Sequence, residues 1–144
     1  LQEWLATRLD SLPQGARHLA DPGFKLLSHC TEKTNAPASP KTWQQVFAAF
    51  GLTLSLVETG CCGMSGTYGH ETRNAATSKT IYAQSWQPKV EAPENAGRLL
   101  ATGYSCRSQV KRFSCHTLQH PLQALLAQLK TTSPSHLNNM HREP

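Results

Sequence analysis

Leu52-Thr53-Leu54-Ser55-Leu56-Val57 runs into Glu58-Thr59-Gly60-Cys61-Cys62-Gly63-Met64-Ser65-Gly66. The first six residues alternate and include β-branched side chains, which predicts a strand. Gly63 and Gly66 mark a tight turn, and residues 67–86 read as helical. Upstream, Ser39 is a suitable N-cap and Pro40 suits the first helical position. Trp43, Val46, Phe47 and Phe50 then fall at i, i+3, i+4 and i+7, an amphipathic helix that Gly51 is placed to stop. Phe24-Lys25-Leu26-Leu27-Ser28 reads as an earlier strand delivering His29-Cys30, with a loop expected over residues 31–40. Leu1, Leu5, Leu9 and Leu12 recur at near-helical spacing until Pro13. Downstream, residues 88–93 are expected to form a loop and residues 98–102 a strand. Gly103-Tyr104-Ser105-Cys106 follows, with Ser105 expected to cap a helix through Val110 and Phe113. Leu118, Leu122, Leu125, Leu126 and Leu129 mark a last helix with Pro121 in its first turn. From residue 131 the chain is polar and aperiodic, and a frayed or disordered tail is expected there.

Helices and strands alternate, so the expected fold class is α/β, a small parallel sheet flanked by helices. Right-handed crossovers then put all three strand ends on one edge. Cys30 follows the first strand, Cys61 and Cys62 the second, and Cys106 the third. Sites in open α/β sheets form outside the carboxyl ends of strands, so these four thiols are expected to converge.

The 144 residues suit one compact domain. Hydrophobic residues are 38% and charged residues 16%, which excludes a charge-rich disordered chain. No apolar run approaches the ~18 residues of a membrane helix. The net charge of +5 comes from scattered basic residues, with Lys111-Arg112 the only adjacent pair. A nucleic-acid reader would cluster them with aromatics, so no nucleic-acid partner is expected. Because the chain starts at Leu1 already in helical register, it is expected to be part of a longer polypeptide. No basic-then-apolar segment opens it, and a reducing, cytoplasmic setting is expected, with peripheral membrane association also open.

Five cysteines fit a disulfide framework poorly, because the count is odd. The gaps between Cys30 and Cys61 and between Cys62 and Cys106 are long for a zinc ribbon or a standard ferredoxin. They suit ligands borne by successive strand-to-helix loops. A thiolate is the ligating form, and a helix N-terminus favours it. Gly63 and Gly66 would let the backbone approach a bulky cofactor and turn N–H groups toward its sulfurs. Cys30, Cys61, Cys62 and Cys106 are therefore the candidate metal ligands, enough for a [4Fe–4S] cluster. The ordinary alternative, small buried apolar thiols, is the expectation for Cys115. His29 is open to a role as ligand, as a donor to the site, or as a plain rim histidine. His70 is expected at the surface, and His116 and His120 as capping or solvated groups.

His29-Cys30, Gly60-Cys61-Cys62-Gly63-Met64-Ser65-Gly66 and Gly103-Tyr104-Ser105-Cys106-Arg107-Ser108-Gln109 resemble the cysteine-rich CCG domain of iron–sulfur oxidoreductases. That family includes heterodisulfide reductase and the iron–sulfur components of glycolate oxidase and anaerobic glycerol-phosphate dehydrogenase. His29-Cys30-Thr31-Glu32-Lys33, residues 58–70 and His120-Pro121-Leu122-Gln123-Ala124-Leu125-Leu126 look more closely like the C-terminal end of bacterial FAD-linked oxidoreductases of the D-2-hydroxyglutarate dehydrogenase kind. The resemblance implies an N-terminal helix and linker over residues 1–22, a CCG domain over residues 23–130 and a tail over residues 131–144. It also implies FAD and ferredoxin-like domains upstream, and an electron acceptor. One departure stands out. Many CCG domains carry Cys-x-x-Cys where this chain has Gly103 and Cys106, and some relatives carry zinc in such a region.

These readings imply an iron–sulfur electron-transfer domain of an FAD-dependent 2-hydroxy acid dehydrogenase, without dehydrogenase activity as an isolated chain. The alternative is a zinc-binding or docking domain of the same oxidoreductase. A thiol enzyme built on Cys61-Cys62 is less favoured, because no convincing base accompanies the pair.

Overall fold

The computed structural model describes residues 1–11 and 21–132. Its centre is a sheet of three short strands, β1 (Phe24–Leu27), β2 (Leu54–Leu56) and β3 (Leu99–Ala101). All pairings are parallel and the order is β2-β1-β3. Phe24 pairs with Leu54 on one side, and Lys25 pairs with Leu99 on the other. Strand order reverses about β1, which opens a crevice between the carboxyl ends of β1 and β3. Parallel strands need long crossovers, and here helices supply them. Helices α2 (Cys30–Asn35) and α3 (Ser39–Ala49) join β1 to β2; α4 (Ala75–Ser85) and α5 (Gln87–Val90) join β2 to β3. Helix α1 (Gln2–Ala6) precedes the sheet, and α6 (Tyr104–Ser114) and α7 (Pro121–Thr132) follow it.

Alternation along the strands sorts the side chains into two cores. On one face Phe24, Leu26, Leu54 and Leu100 pack with Trp43, Val46 and Phe47 of α3 and with Ala124 and Leu125 of α7. The Phe24 and Phe47 rings meet edge to face at 5.7 Å. On the other face Leu27, Leu99 and Ala101 pack with Tyr82, Trp86, Val90 and Val110, and Cys62, Met64 and Cys106 join them. Each fully buried large side chain contributes about 1.5–3 kcal/mol. The α/β class, the parallel sheet and the α3 face are as the sequence predicts.

Several local expectations need correction. Residues 30–35 form α2 rather than the start of a loop. His29 nucleates it: its Nδ1 accepts the Thr31 N–H at 3.2 Å. Ser39 is the first residue of α3 and makes no capping bond, because its hydroxyl donates to the Glu32 carboxylate. Residues 67–86 are helical only from Ala75; two 3-10 turns, Tyr68–His70 and Thr72–Asn74, come first. Gln87–Val90 is a helical turn where a loop was expected, with Pro88 tolerated near its start. Ser105 lies inside α6, whose N-cap is Gly103. Leu12, Pro13 and the tail beyond Thr132 lie outside the described residues.

Candidate metal centre

Three loops leave the carboxyl edge of the sheet, and each carries thiols. Cys30 opens α2 directly after β1 and is exposed. Cys61 and Cys62 lie in the loop after β2, the first half-buried and the second 3% exposed. Cys106 sits in the first turn of α6, after β3, and is 1% exposed.

Polar side chains tie these loops together. The His29 N–H donates to Thr102 Oγ1 at 3.1 Å, joining the ends of β1 and β3. Thr102 Oγ1 in turn donates to the Glu32 carboxylate. Arg107 Nη1 donates to the carbonyls of Ala101 and Thr102 at 2.8 and 3.0 Å, which fixes α6 on β3. The β2 loop is clamped from both sides. Lys33 Nζ donates to the Thr59 carbonyl at 2.9 Å, the Gly60 N–H donates to Ser85 Oγ at 2.6 Å, and Trp86 Nε1 donates to the Gly60 carbonyl at 3.0 Å. Sequence reading missed Thr102, Ser85 and Trp86 as supports of the site, and assigned no task to Glu32 or Lys33. Single polar residues on helices carry no period or motif that would single them out.

The four thiols act on one another. Cys62 and Cys106 interact directly: a hydrogen bond from Cys106 is the main reason the Cys62 thiol is lowered to about 7, and the backbone N–H of Met64 adds to it. The same bond with Cys62, followed by burial, raises Cys106 above the usual thiol range. Of the two, Cys62 is therefore the thiol more readily ionised. Burial, the largest influence on Cys61, raises its thiol; the Gly63 N–H, 3.3 Å from the sulfur, opposes this. The fields of Cys30 and Cys62 reach both Cys61 and Cys106. Four thiols distant in sequence therefore share one electrostatic neighbourhood. Among the described residues, no three Cys, His, Asp or Glu groups are drawn tightly enough around one point to hold a single ion.

Cys115 is a correction to the expected buried thiol. It is exposed, at the left-handed C-cap of α6 with φ 55°, and a helix end of that kind faces water. His29 lies between the β1 and β3 ends, its Nε2 3.3 Å from Ser105 Oγ. His70 and His116 are exposed. Half-buried His120 caps α7 through Nδ1, which accepts the Leu122 N–H at 3.2 Å. Gly63 is needed for backbone reasons: φ is +85°, and a Cβ would lie under 3.0 Å from the Ser78 carbonyl oxygen. The Gly103 departure has a steric counterpart. A Cβ there would meet the His29 ring and lie 2.9 Å from Cys106 Sγ, so His29 occupies the space a side chain at 103 would need.

Comparison with known proteins finds similar stretches within longer proteins. A protein of Pseudomonas putida named D-2-hydroxyglutarate dehydrogenase is 57% identical over 126 residues, covering 87% of this chain and 12% of its own length. Its namesake in Escherichia coli is 47% identical over 129 residues, 89% of this chain and 12% of its own. A component of the anaerobic glycerol-3-phosphate dehydrogenase of Escherichia coli is 33% identical over 79 residues, 54% of this chain and 19% of its own. No protein-family profile and no solved structure matches the chain. The chain spans about an eighth of the D-2-hydroxyglutarate dehydrogenases it matches, and over most of its own length it is homologous to that one stretch of them.

Proposed function

We propose that this chain is the iron–sulfur electron-transfer unit of a larger FAD-linked oxidoreductase that oxidises a 2-hydroxy acid. Cys30, Cys61, Cys62 and Cys106 hold the cluster, a [4Fe–4S] centre, and pass electrons from the flavin toward an acceptor. Flavin and ferredoxin-like domains elsewhere in the intact protein are its partners. The observation that supports this reading is the placement of Cys30, Cys61, Cys62 and Cys106 beyond the carboxyl ends of three successive parallel strands. The donor set suits such a group. The Cys62 thiol is lowered to about 7, and the Gly63 N–H is directed at the Cys61 sulfur. Hydrogen bonds of that kind tune iron–sulfur centres. The exposed Cys30 leaves one edge open to solvent, where electrons can leave. When bound, the cluster supplies one-electron chemistry, while the chain's own residues hold, orient and partly dehydrate it. The names of the homologous proteins support the oxidoreductase setting and the hydroxy-acid substrate. Among the described residues no helix is long and apolar enough to cross a membrane.

The test is anaerobic reconstitution of the chain with iron and sulfide. A brown protein absorbing near 400 nm, with about four iron and four sulfide per chain, is expected. Cys115→Ser should load like the unaltered chain and Cys61→Ser should not. A colourless product binding one zinc instead would overturn the reading in favour of a structural or docking role. Iron loss in Cys115→Ser equal to that in Cys61→Ser would overturn the ligand set, by making Cys115 a ligand in place of one of the four.

A further inference from the structure

Between the carboxyl ends of β1 and β3 lies a cavity of about 570 Å³, within the ~300–1,000 Å³ of ordinary small-molecule sites. Strand order reverses there, the usual place for a ligand in an open α/β sheet. Two histidines line it, His29 after β1 and His120 before α7. Each ring accepts a backbone N–H at Nδ1, from Thr31 and from Leu122, both at 3.2 Å. A neutral imidazole carries one proton, so in both rings it is on Nε2. The two side chains therefore offer the cavity N–H donors and no unprotonated ring nitrogen. Burial and the Arg107 charge favour the neutral form of His120. The His29 Nε2–H reaches Ser105 Oγ at a long 3.3 Å, a contact that a better-placed acceptor would replace.

The rest of the wall narrows the choice of ligand. Among the described residues no Lys or Arg lines the cavity, whereas Glu32 does, its carboxylate accepting from Ser39 and Thr102. A phosphate or carboxylate would meet an anion there and no basic side chain. A metal ion would meet N–H groups instead of ring lone pairs. The remainder is aromatic. Trp43 forms the floor, 1% exposed and edge to face with His120 at 5.5 Å, and Tyr104 stands at the mouth, 78% exposed. What fits is neutral and flat, with carbonyl oxygens to accept the N–H groups. Gly103 also lines the cavity, and an added Cβ there would lie 2.9 Å from Cys106 Sγ, so a candidate cluster ligand stands directly behind the wall. We propose that this cavity binds a quinone, with His29 and His120 donating to its oxygens, and that the quinone is the electron acceptor of the oxidoreductase. The acceptor role rests on the iron–sulfur reading above; the binding site does not. The exchange balances. Oxidation of a 2-hydroxy acid to the 2-oxo acid releases two electrons and two protons, and a quinone takes up two of each in becoming the hydroquinone. The electrons pass one at a time through the cluster, and the protons through solvent.

The experiment has two parts, which separate the two readings. The probe is duroquinone, whose fully methylated ring leaves no carbon open to thiol addition. The reduced, metal-free chain, freed of reductant, is titrated anaerobically, and its imidazole nitrogens are followed by nuclear magnetic resonance. Nε2 of His29 and of His120 should shift in step and return on dilution, while the exposed His70 and His116 should not move. Tyr104→Ala removes an exposed ring and no core packing, so the variant should fold, and it should weaken binding about fivefold. His120→Asn keeps an acceptor for the Leu122 N–H and withdraws the donor, and should weaken binding by about as much. Shifts absent at His29 and His120, or equal at His70 and His116, would overturn the site. Binding unaltered in both variants would overturn it as well. In the intact oxidoreductase, duroquinone should be reduced at the expense of D-2-hydroxyglutarate, and Tyr104→Ala should raise the KM for duroquinone far more than the KM for ferricyanide, an anion that the cavity does not suit. Equal effects on the two acceptors, or duroquinone that binds the chain and is not reduced by the intact protein, would overturn the acceptor role alone. A chain that binds duroquinone and never takes up iron would overturn the cluster reading and not the site.

Discussion

Gly63→Ala and Gly66→Ala separate close packing from backbone strain at the same turn. Both glycines have left-handed backbones, φ +85° and +65°. For a residue with a Cβ, that conformation costs about 1–2 kcal/mol. At Gly66 a Cβ meets nothing within 4 Å, so strain is the whole cost. At Gly63 the new methyl would press on the Ser78 carbonyl oxygen, a backbone atom of α4 that cannot rotate away. The loop or the helix must then shift, and the Ser78–Gly63 hydrogen bond, worth about 1 kcal/mol, goes with it. The expected losses are about 1.5 kcal/mol for Gly66→Ala and about 3 kcal/mol or more for Gly63→Ala. In a chain of this size each kcal/mol lowers the melting temperature by roughly 3–5 °C. Thermal unfolding followed by circular dichroism, on the reduced metal-free chain, should therefore place Gly63→Ala about 5 °C or more below Gly66→Ala. Equal losses would refute the argument, since they would mean that α4 yields freely to the loop and that Gly63 answers only to its φ.

In the intact oxidoreductase, Cys61→Ser should spare reduction of the flavin by D-2-hydroxyglutarate and slow steady-state turnover with an artificial acceptor; anaerobic single-turnover mixing reads the first, and a collapse of flavin bleaching in a folded, flavin-loaded variant would show that the thiols serve the substrate half-reaction. His120 has its imidazole held below the ordinary 6.5, first by burial and then by the Arg107 charge, against a smaller opposing pull from Glu32. The unfolded chain therefore binds the proton more readily, so the contribution to stability is complete above 6.5 and is lost as pH falls below it toward the folded value. His120→Asn keeps an acceptor for the Leu122 N–H, and denaturant unfolding between about pH 7.5 and 5.5 should show a shallower decline in this variant than in the unaltered chain.

Hydrophobic period was enough to reveal the architecture. Alternation at residues 52–57, the 3–4 spacing of Trp43, Val46, Phe47 and Phe50, and the leucines of α7 are local signals that any arrangement burying them must respect, and they imply a parallel sheet with helical crossovers. From that topology the shared edge of Cys30, Cys61, Cys62 and Cys106 follows, because right-handed crossovers leave no other place for the loops. What needed the folded chain was the pairing of residues far apart in sequence. Short-range pattern cannot show that Cys106 acts on Cys62 more than on Cys61, or that Cys115 turns outward at a left-handed cap. Nor can it show that His29 fills the space beside Gly103. The same holds for α2, whose polar composition reads as loop; it is helical because His29 caps it and Glu32 is anchored to Ser39 and Thr102 across the sheet edge. Apolar burial is encoded many residues at a time and survives averaging along the chain. A hydrogen bond between two particular side chains depends on angles and distances that exist only once the sheet has brought them together.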